Sequence, residues 1–539
     1  MWNVQLLDCT LRDGGRIIDC KFDDTVIMHM VKDLTLANID IVEMGFLRDD
    51  RIVEYKGNST FFTEISQITP FLPRDCKNTI YTAFIDYDMY DFSKLDKRSN
   101  DSITGIRVGF TKKQFIEEKE RIEQVLYQVK EKGYTLFVQG VNSLAYTDRE
   151  LLDLIDMMNE VGPYSFGIVD TYGAMYLDDI VHFYHLIDYN LDSNICVDIH
   201  SHNNFQSSFA FAQEVIRLAN GKRKIILDAT LNGMGKCAGN LNTELIADYL
   251  VRKRNGDYDI DRILDAIDTY LVPIKNDYEW GYSIPAFMAG IYKSHPNNVI
   301  YLTKKYRLNS RDIKYILSGI EENVRQRYDY DNIQQVYRTY NENLIDDKAK
   351  VKELYEKLHG KSVLVLVPGK SVHDYYSQIE EYIQKNNPIV ISINFIPSKL
   401  KGDYFFCANT IHWQKVCDEI DHKHCIITSN IHESVQNTLL VDYSSLIEED
   451  SKLYDNSTIM LLNLLKKVKV SKVAIAGFDG LKENGENYIN LLFSNRSREM
   501  SVTETNKEIR KLFEQYKAKV DGKIVIEMLT PSIYEKSEL

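Results

Sequence analysis

A chain of 539 residues exceeds one ordinary domain, and a (β/α)8 barrel alone takes about 250 residues. With 44% apolar residues it can fill packed cores, and a formal net charge of −14 argues against wrapping a phosphate backbone. The opening MWNVQLLDCTLRDGG has no apolar signal region, no apolar run reaches the roughly 18 residues of a membrane span, and the 8 Cys form no CxxC pair. A cytoplasmic protein with free thiols, small-molecule partners and neither nucleic-acid nor membrane partners is expected. Cys417 and Cys425 lie near His412, His422 and His424, but their spacing fits no zinc finger, and surface histidines are expected there.

Along the first half, short β-rich runs alternate with helical spacing. The strand candidates are Val4–Asp8, Ile39–Glu43, Thr79–Phe84, Gly105–Val108, Thr135–Gln139, Ser165–Asp170, Ile195–His200 and Ile225–Asp228. Helical spacing covers Asp24–Ala37, Lys112–Lys132, Asp148–Val161 and Phe205–Leu218. Such alternation predicts a parallel sheet, and the number of repeats matches an α/β TIM barrel, although a doubly wound sheet also alternates. Asp13, Glu43, Arg107, Gln139, Asp170, His200, His202 and Asn232 fall at or just after strand ends. A barrel would gather them at one mouth; an open sheet would string them along an edge.

After Tyr249 the pattern turns helical, and a second α/β rhythm begins at Ser362–Val367. Val390–Asn394, Lys423–Thr428, Ser471–Ala476 and Lys523–Glu527 are its further strand candidates. The expected organisation is a barrel over 1–270, a helical extension over 271–358 and a Rossmann-like α/β domain over 359–539. In that last domain Gly369, Lys370 and Ser371 follow an apolar strand, and Asp479 follows another. The sequence lacks the first Gly of a P-loop and has no GxGxxG. Both loops leave strand ends, so an anion site is expected where they meet; tight turns in an interaction domain are the alternative.

His200 and His202 are two apart on a strand end, so both imidazoles face one way and can reach one ion. Asp13, in the turn after the first strand, can add a carboxylate, and such a set leaves positions open for substrate.

Leu7-Asp8-Cys9-Thr10-Leu11-Arg12-Asp13-Gly14-Gly15 resembles the opening signature of the DRE-TIM metallolyases. His200-Ser201-His202-Asn203-Asn204 and Gly233 through Glu244 resemble that superfamily's motifs on strand seven and after strand eight. Within it, Val169 through Met175, Trp280-Gly281-Tyr282, Gly290-Ile291-Tyr292 and Lys305 through Ile313 are similar to the 4-hydroxy-2-oxovalerate aldolases. The resemblance spans about residues 3–345.

It implies that Asp13, His200 and His202 bind a divalent metal, with Asn240 a weaker fourth candidate. Mn2+ or Mg2+ is expected, with Co2+ and Zn2+ as alternatives. Arg12 would hold the enolate oxygen of a 2-oxo acid, and pairing with a carboxylate such as Glu43 is compatible with that. Glu43 itself is a catalytic candidate, read as a partner rather than a ligand. Arg107, Gln139, Asp170 and Thr171 are the candidate substrate-binding set. The family's acid/base His has no counterpart, because Arg16 stands there and an arginine whose pKa exceeds about 12 is a poor base. Tyr292 is therefore expected to turn its hydroxyl to the cavity. Cys237 is read as a packing thiol. The implied activity is an aldol or retro-aldol reaction between a 2-oxo acid and an aldehyde, in a homo-oligomer. The rivals are a Claisen-type condensation with an acyl-CoA and a barrel without turnover whose second domain, faintly similar to sugar-nucleotide-linked transferase domains, carries the output.

Overall fold

The computed structural model describes residues 3–74, 78–306, 310–341, 344–432, 437–448, 451, 453–483, 488 and 500–535. It contains two compact units, one of residues 1–300 with 321–328, the other of 301–320 with 329–539. The stretch 271–358, expected as one helical extension, is helical but divided between them. Arg307, Leu308 and Asn309, part of the aldolase-like segment, lie outside the described residues.

Eight parallel strands build the first unit: β1 (Val4–Asp8), β2 (Ile41–Leu47), β3 (Ile80–Asp86), β4 (Gly105–Thr111), β5 (Thr135–Val141), β6 (Ser165–Asp170), β7 (Cys196–Ser201) and β8 (Ile225–Ala229). Each pairs with its neighbours, β8 pairs with β1, and β1 pairs with β2 through Leu7–Ile41 and Asp8–Val42, so the sheet closes. The open-sheet alternative is thereby excluded. The strands read as near-continuous apolar runs because helices cover the outside while side chains fill the inside. Long helices follow six of the strands: α1 (Asp24–Leu36), α2 (Lys112–Glu131), α3 (Asp148–Val161), α4 (Leu177–Asn190), α5 (Ser208–Ala219) and α6 (Thr243–Arg254). In place of a long helix, the described residues after β2 form a two-residue strand, Phe61–Phe62, paired with β2, and short 3-10 turns, and those after β3 a short 3-10 turn.

Local chemistry accounts for these elements. In α3 the Thr147 side chain and Glu150 cap each other's backbone N–H groups, and Gly162 ends the helix in the left-handed region at φ 61°. Its buried Leu151, Leu154, Ile155 and Met158 recur at helical spacing on one face. Each such side chain contributes about 1.5–3 kcal/mol by leaving water, and Thr147→Ala would cost about 1 kcal/mol.

The second unit holds one parallel sheet: β9 (Ser362–Leu366), β10 (Ile389–Ile393), β11 (Tyr404–Cys407), β12 (Cys425–Thr428), β13 (Leu439–Val441), β14 (Lys472–Ala476) and β15 (Val525–Met528). Their order is β13-β12-β11-β10-β9-β14-β15, so the winding direction reverses between β9 and β14. This is the expected doubly wound pattern. β11 and β13 are not among the strands expected from the sequence. Among the described residues, no helix is long and apolar enough to cross a membrane.

Candidate metal and substrate site

Immediately after β1 the chain makes a tight turn in which the N–H groups of Arg12, Asp13 and Gly14 all donate to the Cys9 carbonyl. That turn carries Asp13 to the barrel mouth, where it meets β7. The Asp13 Oδ2 lies 3.1 Å from His202 Nε2 and 3.9 Å from His200 Nε2. One ligand atom from each of the three lies within 4.8 Å of the others.

Both imidazoles are oriented from behind. His200 Nδ1 sits 3.0 Å from Asp228 Oδ2, and His202 Nδ1 sits 3.1 Å from the Asp170 carbonyl. A neutral ring whose proton is held there turns the Nε2 lone pair to the space beside Asp13, although against burial the Asp13 carboxylate, hydrogen-bonded to His202 Nε2, raises that ring. Burial opposes the Asp13 carboxylate, but Arg12, with His202, holds its carboxyl well below the usual range. Burial also lowers His200, favouring the neutral ring that a metal requires.

Asn240 adds a further sign. Its amide nitrogen donates to Asp13 Oδ2 and the Met234 carbonyl, while its buried Oδ1 has no hydrogen-bond partner. Two imidazoles, a carboxylate and an orphaned amide oxygen fit a divalent cation. A second grouping, Cys9 with His200 and Asp228, fits less well. Burial pushes the Cys9 thiol up, and it donates to the Ala229 carbonyl.

Arg12 is buried against the Phe84 ring, 4.5 Å from its centroid. Its Nε donates to Glu43 Oε2 at 2.6 Å and its Nη1 to Asp13 Oδ1 at 2.7 Å. Glu43 then reaches Arg107 with its other oxygen at 3.1 Å. Arg107 also binds Asp198 at 3.1 Å and Asp228 at 2.6 Å. The carboxylates of this cluster respond unequally: burial and the Asp228 charge raise Asp198, while Arg107, followed by His200, lowers Asp228 against burial.

Above this network a cavity of about 180 Å³ opens at the mouth. Its walls include Arg12, Asp13, His200 and His202, joined by Gln139, Thr171, Arg16, Lys236 and His295. Gln139 and Thr171 thus reach the expected place. Arg107, Asp170, Glu43, Asn240 and Tyr292 do not line it. Arg107 is wholly buried and holds carboxylates beneath the floor, which corrects its assignment to substrate. Asp170 accepts from the Ala174 and Met175 N–H groups, and burial raises it to about 6. Tyr292 also departs from expectation. It caps the helix Ile284–Ile291, with its ring 5.9 Å from the Arg325 guanidinium. His295, from the same segment, enters the wall instead. Asp198 and Asp228 lie within the strands expected from the sequence and carry no site expectation there. The Asp198-x-His200-x-His202 alternation on one strand face was the available signal. Burial pushes Cys237 up to about 12, as a packing thiol requires.

In the second unit, Gly369 and Ser371 do meet Asp479, where the sheet reverses. The Ser371 N–H donates to Asp479 Oδ2 at 2.8 Å, and its hydroxyl also bonds to that carboxylate. A Cβ on Gly369 would fall 2.2 Å from the Gly477 carbonyl. The expected anion cradle is therefore occupied by a carboxylate of the chain itself, and the helix after Lys370, Ser371–Asp374, has only four residues.

Residues 107–269 match the HMGL-like family model. The chain is 23% identical over 264 residues to the 2-isopropylmalate synthase of Geobacillus sp. (strain Y412MC10), covering 47% of this chain and 49% of that protein. It is 24% identical over 267 residues to the oxaloacetate decarboxylase of Mycobacterium tuberculosis, covering 48% of this chain and 74% of the other. It is also 24% identical over 322 residues to the 4-hydroxy-2-oxovalerate aldolase of Thermomicrobium roseum, covering 57% and 85%. The chain thus spans about half the length of the 2-isopropylmalate synthases it matches.

Proposed function

From a barrel with an HMGL-like domain, we propose a divalent-metal-dependent aldolase that forms or cleaves a 4-hydroxy-2-oxo acid through a pyruvate-type enolate. The observation that carries this reading is the convergence of Asp13, His200 and His202 beside Arg12 at the cavity floor. A bound divalent cation, Mn2+ or Mg2+, would supply Lewis acidity toward the 2-oxo acid.

The chain's own groups do the rest. His200 and His202 present Nε2 because Asp228 and the Asp170 carbonyl hold their other nitrogens. Arg12 is fixed by Glu43 and Asp13 before substrate arrives, so its charge and donors are in place where negative charge develops on the enolate oxygen. Phe84 shields that guanidinium from water, which strengthens it as an electrostatic partner. Arg16 lies 3.3 Å from Asp13, where it pairs with the carboxylate.

The test is exchange of the C3 protons of pyruvate with deuterated solvent, followed by NMR with and without Mn2+. Metal-dependent exchange that needs no second substrate is expected. A Claisen-type reading, suggested by similarity to 2-isopropylmalate synthases, instead requires exchange at the methyl group of acetyl-CoA and none at pyruvate.

A further inference from the structure

Beyond the groups already used, one part of the cavity wall carries an excess of positive charge. The charged residues lining the cavity are Arg12, Arg16 and Lys236 against Asp13 and Asp86. Both carboxylates are already held. Asp13 lies 2.7 Å from Arg12 and 3.3 Å from Arg16, and Asp86 lies 2.5 Å from Arg48 and 3.9 Å from Arg16. Lys236 has no carboxylate within ion-pair distance among the described residues, although it is half-buried. Burial first, and then the nearby Arg16 charge, lower its affinity for a proton.

His295 completes this wall with a different kind of donor. The Asn297 N–H donates to its Nδ1 at 3.2 Å, so the proton of the neutral ring sits on Nε2. Burial, with Lys236 and Arg16 adding to it, lowers His295 to about 4. A neutral donor can stand beside two cations where a third cation would be repelled.

We propose that Arg16, Lys236 and His295 form a recognition site for a second anionic group on the substrate, a carboxylate or a phosphate remote from the 2-oxo acid end. This rests on the placement of the 2-oxo acid at Asp13, His200 and His202. A half-buried lysine beside an arginine is partly stripped of water, and an anion between them relieves both the repulsion and the lost hydration. The resulting preference is for substrates with a charged tail over uncharged isosteres, because the latter leave Lys236 unpaired.

Calorimetric titration of the Mn2+-loaded full chain tests this with matched probes. 2-Oxopentanoate carries no second charge; 2-oxoglutarate carries a carboxylate at the same length; 3-phosphonopyruvate carries a phosphonate. The parent should bind at least one charged probe at least ten-fold more tightly than 2-oxopentanoate, and which probe gains separates a carboxylate tail from a phosphate. In Lys236→Met that ratio should fall to within about two-fold, and in Lys236→Arg most of it should return. Equal binding of all probes by the parent, or a ratio preserved in Lys236→Met, overturns the site while leaving the 2-oxo acid reading intact. Titrations with succinate and inorganic phosphate supply the converse case. If these bind in a Lys236-dependent manner while no 2-oxo acid binds, the anion site stands and the 2-oxo acid reading falls. Binding of no probe overturns both.

Discussion

His200 Nδ1 lies 3.0 Å from Asp228 Oδ2, and the same oxygen lies 2.6 Å from Arg107 Nη2. That carboxylate therefore joins an imidazole at the barrel mouth to a charge network in the barrel interior. Asp228→Asn keeps the shape and removes the charge that holds the ring. Mn2+ affinity, measured by electron paramagnetic resonance, should fall about 10–100-fold. Unchanged affinity would remove Asp228 from any orienting role.

Arg12→Lys retains a positive charge but loses the fork that bonds Glu43 and Asp13 together. The C3 exchange rate of pyruvate should drop about 100-fold or more, with a smaller change in the dissociation constant for oxalate, an enolate mimic. Near-normal exchange would contradict the assigned role.

Asp8 supplies a pH test away from the metal ligands. It is wholly buried, and burial raises its carboxyl from 3.8 to about 6, against hydrogen bonds from Thr243 and Thr10. Because the folded value is the higher one, the protonated group stabilises the fold below pH 3.8, and this is lost as pH rises to 6. At neutral pH the ionised group costs on the order of 3 kcal/mol. Asp8→Asn should therefore be more stable than the parent at pH 7.5, with the advantage shrinking toward pH 4. A difference in urea unfolding that does not vary across this range would refute the assignment.

Asp479 closes the loop of the second unit. Removing it in Asp479→Ala leaves the Ser371 N–H and hydroxyl without that partner, at a cost of about 1–3 kcal/mol. Amide exchange measured by mass spectrometry should quicken in Ser362–Leu366 and Lys472–Ala476, the strands that flank the reversal. If phosphate protects these amides in Asp479→Ala but not in the parent, the carboxylate is shown to occupy an anion's place.

Much of the barrel is written locally. The strand and helix periods, the Arg12–Asp13 turn and the alternation of His200 and His202 are consequences of neighbouring residues, so they could be read in order along the chain. What the sequence could not assign is who pairs with whom. Arg107 finds its carboxylates 91 and 121 positions away, and only closure of the sheet brings those strands round one axis. The sequence places its charge near a strand end, but the strand runs on to Thr111, so Arg107 lies inside the barrel, buried among carboxylates. Tyr292 and His295 differ by three positions, yet Tyr292 caps the helix and Lys293 then turns the chain at φ 45°, so the histidine meets the cavity and the tyrosine does not. The sequence determined which faces would be apolar and which residues could bind a metal. The tertiary structure decided which charges meet a counter-charge and which, like Lys236, have no carboxylate within ion-pair distance among the described residues, because that depends on distances between residues far apart along the chain.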